Sequence, residues 1–358
     1  MDKERESGVD IDIGNRCSRR AYELSKETFA NRSGKPGAPC MSVDGLFSNM
    51  LDFNGTKIGI SSDGIGTKIE LAERCGIYDT LGYDLLAMVA DDLAAGGFVP
   101  TNISNIIDVD FLEYDIIDSL MSGLKKACDE CGVAISGGEI AELGGRISGY
   151  GSRMHFNWCS TAIGILHDAL AAPLDGSSIS EGDAVITLKS RGFRSNGFSL
   201  VRRTMESCLG EEWHLQPYNG TTYGNALLTP SLVYSPLITE LMNRRIVPSS
   251  VVHVTGGGVA DNFARVLKKK RYGAVLNSLF DPHDIMVNMC DLAGIDMRFA
   301  YRYWNMGNGM LLTVPETLLD AALDCASFMG YDACRAGIID RSGSITIPAA
   351  DAVYDVEE

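Results

Sequence analysis

The chain has 358 residues, 45% of them hydrophobic and 22% charged, with 39 glycines against 11 prolines. That balance excludes disordered and fibrous classes, and the length exceeds the roughly 250 to 300 residues at which one hydrophobic core stops growing, so two domains are expected. With 31 Lys and Arg against 47 Asp and Glu, the formal charge is −16; such a field repels polyanions and argues against a nucleic-acid partner.

Residues 1–7 are charged and lack the apolar core of a secretory signal. No stretch approaches the roughly 18 to 20 consecutive apolar residues of a membrane span, so a cytoplasmic protein without a membrane partner is expected. The 10 cysteines are scattered, as suits reduced thiols. Cys128 and Cys131 form a CxxC inside a helical pattern with no second pair nearby and read as inert.

In chain order, GVDIDIGN (8–15) leads into a helical pattern over 16–29 and a Gly, Pro and Ser loop over 33–42. Residues 57–62 read as a buried strand, DGIGTK (63–68) as a turn and 69–75 as a helix. Residues 78–95 form the clearest helix, with Leu81, Leu85, Val89 and Leu93 on one stripe. A strand over 103–109, a helix over 116–131, a strand over 133–136 and a glycine loop GGEIAELGG (137–145) continue an α/β order. Small and polar residues around 171–182 mark a boundary between domains 1–170 and 171–358. The second half restarts with a strand over 184–189, the loop RGFRSNGFS (191–199) and a helix over 200–208. A strand over 251–254 runs into TGGG (255–258) and a helix over 259–267; strands over 298–303 and 310–314 bracket WNMGNG (304–309), and a helix over 317–329 follows.

DGIGTK puts Asp63 at a strand end and Lys68 at a helix mouth, with Gly64, Gly66 and Thr67 between them. Such a turn suits a phosphate: glycines clear the way for backbone amides, lysine adds charge and aspartate can hold the magnesium that accompanies ATP. The spacing is not that of a Walker A loop, and an ordinary tight turn would look the same. On the helix over 78–95, Asp84 and Asp91 share a face and Asp92 lies nearer the apolar stripe. A carboxylate there needs a metal ion or a lysine unless the aspartates are solvated. Gly137, Gly138 and Glu139 follow a short strand, at the carboxyl end where open α/β sheets bind ligands, or else form a hairpin with a surface glutamate. His253 ends a strand before Thr255, Gly256, Gly257 and Gly258, an amide cradle suited to phosphate. Arg194, Ser195 and Asn196 form a comparable polar loop before a helix.

Taken in order, GVDIDIGN, DGIGTK, YDTLGYDLLAMVADDL, SGGEIAEL, SNGFSLVRR, HVTGGGVADNFARVL and WNMGNGM resemble the phosphoribosylformylglycinamidine cyclo-ligase (aminoimidazole ribonucleotide synthetase) family over about residues 8–340. The resemblance implies a two-domain α/β fold and a cytoplasmic homodimer of the purine pathway that pairs its N-terminal sheets. It also implies ATP-dependent phosphorylation of a formyl amide oxygen in a small-molecule ribonucleotide, followed by imidazole ring closure. By the same resemblance Mg²⁺ falls to Asp63, Asp92 and Glu139. ATP falls to Asp63, Gly64, Gly66, Thr67, Lys68, Gly137, Gly138 and Glu139. The ribonucleotide falls to Ser195, Asn196, Thr255, Gly256, Gly257 and Gly258. Lys68, Arg194 and His253 take the catalytic roles. The chain departs from the family pattern at Arg194, where histidine is usual, at Asn105, where aspartate is usual, and in the shortened glycine loop near 34–47. Those departures leave open a paralogue acting on another amide or carboxylate, or a non-catalytic dimeric binding protein.

Overall fold

The computed structural model describes residues 11–40 and 47–357. Residues 8–10 of the first motif and 41–46 of the shortened glycine loop lie outside the described residues.

The N-terminal half begins with α1 (Ile11–Thr28), β1 (Ala38–Pro39), β2 (Asn49–Phe53) and β3 (Thr56–Gly64). There follow α2 (Lys68–Cys75), α3 (Leu81–Ala95), β4 (Phe98–Val109), α4 (Tyr114–Cys131), β5 (Ala134–Glu142) and β6 (Phe156–Leu166). The six strands lie in the order β1-β2-β3-β6-β4-β5. Among these pairs only β4 and β5 run parallel.

The C-terminal half comprises β7 (Ala184–Lys189), α5 (Phe198–Leu209), β8 (Pro217–Tyr218), β9 (Thr221–Thr222), α6 (Tyr223–Leu227), α7 (Ser235–Asn243), β10 (Ser250–His253) and α8 (Gly258–Leu267). It continues with β11 (Gly273–Leu276), α9 (Asp284–Ala293), α10 (Met297–Tyr303), β12 (Asn308–Val314), α11 (Leu319–Phe328), β13 (Ala333–Asp340), β14 (Ser344–Ile347) and β15 (Ala352–Asp355). Its main sheet runs β10-β12-β7-β13-β11-β14-β15, and β8 and β9 form a separate two-stranded sheet. The architecture is mixed α/β, as the alternation of strands and helices indicates, with mostly antiparallel pairing.

Three expected elements differ. β3 extends through Asp63 and Gly64, so the turn is confined to residues 65–67. Gly137, Gly138 and Glu139 lie inside β5 and not in a loop after a strand. The expected strand over 298–303 is the helix α10, whose N-cap Asp296 accepts a hydrogen bond from the Phe299 N–H at 2.7 Å. Strand β6, absent from the sequence reading, sits between β3 and β4 in the sheet.

Helix α3 is apolar nearly all round because it is covered from both sides: it packs on β3, β4 and β6 of its own sheet and on β10 and α7 of the other half. The main apolar cluster accordingly runs without a break from Leu85 and Val89 to Phe198, Val252 and Val259. On the opposite face of the N-terminal sheet Ile106, Ile163 and Ile165 are exposed among the described residues. Among the described residues no helix is long and apolar enough to cross a membrane.

Candidate active site

The site forms where α3 meets both sheets. On β3, Ser61 and Asp63 are two residues apart and so project to the same side of the strand, the side packed on α3. The Ser61 hydroxyl donates to Asp92 Oδ2 at 3.2 Å, and His253 Nδ1 lies 2.7 Å from Asp92 Oδ1. Asp92 is thus held by one residue from each half of the chain. Burial pushes its carboxyl up to about 7, against the Ser61 hydrogen bond and the positive fields of Arg265 and Arg194. Loss of water also raises Asp63, whose oxygen accepts the Gly64 N–H at 2.7 Å, and nearby Asp92 raises it further. A cation between these two carboxylates would reverse both shifts. His253 is fully buried, and that burial, with Arg194 second, lowers it to about 3, so it is neutral. With Nδ1 engaged by Asp92, His253 Nε2 is left buried without a hydrogen-bond partner among the described residues.

Two loops of the C-terminal half close over this group. A Cβ on Gly256 would make an ordinary contact with Asn196 Oδ1 at 3.5 Å, so the loops at 194–197 and 255–258 adjoin. The other two glycines of that run have packing reasons. A Cβ on Gly257 would crowd Asp261, and Gly258, at φ +57°, is pressed against the Tyr301 carbonyl. The Thr255 hydroxyl donates to Asn262 Oδ1 at 3.2 Å, and the Asn262 amide donates to the Gly258 carbonyl at 2.7 Å, which fixes the loop on the first turn of α8. The Ser195 hydroxyl is buried without a partner among the described residues. Gly66, at φ +72° with no atom near a Cβ position, leaves the β3–α2 turn open, and the neighbouring Thr67 hydroxyl meets the Ser199 hydroxyl at 3.3 Å. Beside that turn, mainly on the uncovered face of the N-terminal sheet, a cavity of about 350 Å³ is lined by Ser62, Gly64, Ser104, Ile106, Cys159 and Thr161, with Asp63 and Ser160 from the covered side.

Three sequence-based placements are corrected by this geometry. Lys68 does not reach toward a phosphate: its ammonium is fully buried, 2.8 Å from Asp84 Oδ2, and donates to the Thr229 carbonyl at 2.8 Å. Arg194 is likewise interior, with its guanidinium 2.7 Å from Asp91 Oδ2 and donating to the Gly309 carbonyl at 3.1 Å. The cations that Asp84 and Asp91 require are these two, and neither carboxylate is solvated. Glu139 cannot share a metal with Asp63 in this chain, because β6 and β4 stand between their strands, about 14 Å at the usual strand spacing. Its side chain is also in register with exposed Ile106 on the uncovered face. Gly137 and Gly138 are on the same distant edge strand. Among the described residues no three His, Cys, Asp or Glu side chains converge as a metal set.

Ser61 and Arg265 were not singled out from the sequence as site residues. The spacing of Ser61, two residues before Asp63, was the available signal for the first. Asn105, the other departure, is buried, and its Oδ1 accepts the Trp158 indole N–H at 3.0 Å. The Cys128 and Cys131 thiols are pushed up to about 12 by burial, in keeping with inert thiols.

Two sheets that both pack on one shared helix, whose Asp92 is held by Ser61 from one half and His253 from the other, define a two-domain α/β protein. Matches to the AIR synthase related protein family cover residues 47–166 with its N-terminal domain and 180–348 with its C-terminal domain. The chain belongs to this family. It is 31% identical over 342 residues to the phosphoribosylformylglycinamidine cyclo-ligase of Carboxydothermus hydrogenoformans, covering 93% of this chain and 94% of the relative. Among solved structures, thiamine-monophosphate kinase from Stenotrophomonas maltophilia matches with a TM-score of 0.61 at 16% identity, covering 91% of this chain and 96% of that one. The hydrogenase maturation protein HypE in complex with ATP matches with a TM-score of 0.54 at 16% identity, covering 91% and 90%. These two likenesses concern the fold.

Proposed function

We propose that the chain is an ATP-dependent cyclo-ligase that converts formylglycinamidine ribonucleotide into aminoimidazole ribonucleotide, working in the cytoplasm as a homodimer on a small-molecule substrate, without a nucleic-acid or membrane partner. The observation that carries the reading is Asp92, held between Ser61 of one half and His253 of the other and near enough to Asp63 to raise its pKa. The Gly256 loop follows the His253 strand, and the Asn196 loop adjoins it. Near-full-length similarity to a named cyclo-ligase supports it, as does the fold shared with a protein solved with ATP.

The residues present fit magnesium-bound ATP. Asp63 and Asp92 would hold the cation, and the open turn at Gly66 and Thr67 would take phosphate oxygens. ATP supplies the phosphoryl group that turns the formyl amide oxygen into a leaving group, after which the amidine nitrogen closes the ring and phosphate departs. Ser195, Asn196 and the backbone of Thr255 and Gly256, in the two adjoining loops of the other half, would anchor the ribonucleotide. His253, neutral and fully buried, orients the Asp92 carboxylate through Nδ1. The exposed isoleucines of the N-terminal sheet give the dimer its contact face.

Calorimetric titration with ATP and magnesium tests the nucleotide assignment. Asp63→Asn and Asp92→Asn should each weaken binding by about tenfold or more while circular dichroism stays unchanged. Unchanged affinity in both variants would refute it.

A further inference from the structure

Asp84 and Asp91 lie two turns apart on one face of α3, and both are completely buried. Each grips the C-terminal half of the chain. Asp84 Oδ1 accepts the Ser231 N–H at 3.1 Å and the Ser231 hydroxyl at 2.5 Å, while its ion-pair partner Lys68 donates to the carbonyl of Thr229. Asp91 Oδ1 accepts the Tyr234 and Ser235 N–H groups at 2.8 and 2.9 Å, satisfying amides at the start of α7 that have no partner within their own helix. Its other oxygen holds Arg194. Arg194 is only 2% exposed, sits in the left-handed region at φ +64° and lies over the Tyr234 ring at 4.9 Å. A non-glycine residue keeps that backbone conformation only where its surroundings over-determine it, and here the ion pair, the Gly309 carbonyl and the ring all do so. Arg194 begins the Ser195–Asn196 loop, and the next residue after that loop, Gly197, has no room for a Cβ beside Trp304.

We propose that Arg194 is a positioning residue: locked on Asp91, it sets the Ser195–Asn196 loop over Asp92 and beside Gly256, and it acts on the reaction through that loop without touching substrate. The Lys68–Asp84 pair is the second fastener of the same clasp, holding residues 229–231. A histidine at position 194 would have neither the reach nor the planar fork to engage Asp91 and the Gly309 carbonyl together. The kinetic part of this proposal rests on the ring-closing reading above; the structural part does not.

The test uses the full chain with Arg194→Met, Arg194→Lys and Asp91→Asn, the last keeping an oxygen for the Tyr234 and Ser235 amides should Arg194→Met fail to fold. In Arg194→Met, kcat for the ribonucleotide should fall by about tenfold or more with its KM changed less than about threefold, and Arg194→Lys should recover part of the loss. Hydrogen exchange at residues 195–198 should quicken in Arg194→Met and Asp91→Asn, while amides of β4 exchange as in the wild type. A KM raised about tenfold with kcat unchanged would overturn the proposal by making Arg194 a substrate contact, and so would unchanged kinetics together with unchanged exchange. If the wild type leaves the ribonucleotide untouched while exchange quickens as expected, the clasp stands and only the assigned reaction falls.

Discussion

Glu73 on α2 illustrates how single buried charges set the behaviour of this chain. Its carboxylate accepts the Tyr150 N–H at 2.8 Å and lies 3.4 Å from His155 Nδ1, with its side chain only 3% exposed. Burial raises its pKa, against those two partners. The native state therefore keeps the Glu73 proton to higher pH than the unfolded chain does. The resulting stabilisation is complete below the ordinary glutamate value of about 4.3 and is lost as pH rises through the raised one. Urea midpoints should accordingly show the wild type losing ground to Glu73→Gln as pH rises from about 4 toward neutrality; a difference independent of pH would contradict the assignment. The same logic explains what was readable at residue level. A helix with three aspartates among leucines announces that cations are needed. Which cations answer is a tertiary fact, and Lys68 and Arg194, which look like ligand contacts in their glycine-rich motifs, are the ones drawn inside. Asp92 escapes that neutralisation because its partners are a serine and a neutral histidine.

At the scale of elements, α3 organises the molecule, and its contact with α4 is unusually close. Gly82 faces the backbone of Gly123 and Leu124, and a Cβ on Gly123 would fall inside the contact distance of the Asp79 carbonyl. Gly123→Ala should therefore push the helices apart and cost about 1–3 kcal/mol, read as a lower melting temperature. Gly145→Ala, where a Cβ meets no atom within 4 Å, should melt close to wild type. Equal melting of both variants would count against this packing. The apolar stripe of α3 was legible because four-residue spacing survives even when the rest of the helix is buried. Strand β6 was not: its open face carries Asn157, Cys159 and Thr161 and its covered face Ser160 and Gly164, so hydrophobic alternation is diluted. In α10 the alternation of aromatic and basic residues imitates a strand, and the capping Asp296 was the overlooked signal. The glycines before Glu139 imitate a loop, yet Gly138 lies where a Cβ would meet the Asn105 carbonyl at 3.0 Å, so close strand approach accounts for it.

For the whole molecule, the uncovered sheet face and the site around Asp92 make separate claims. Ile163 and Ile165, side by side on that face, are 38% and 50% exposed. Pairing of two such faces should give a sedimenting species of about twice 38.6 kDa at micromolar concentration. Ile163→Glu with Ile165→Glu should reduce it to the monomer, and a monomeric wild type would contradict the dimer. That the chain holds two domains was legible from its length, because each half needs its own sheet. The docking of the halves was not legible, since it depends on α3 being covered twice. The proposed site around Asp63 and Asp92 would join ATP consumption to ring closure. The most direct measurement is ADP release by the wild-type chain with ATP, magnesium and formylglycinamidine ribonucleotide, with aminoimidazole ribonucleotide followed in the same reaction. The account predicts ADP and aminoimidazole ribonucleotide in equal amounts and no ADP when the ribonucleotide is omitted. ADP formation indifferent to the ribonucleotide, or none at all, would contradict it.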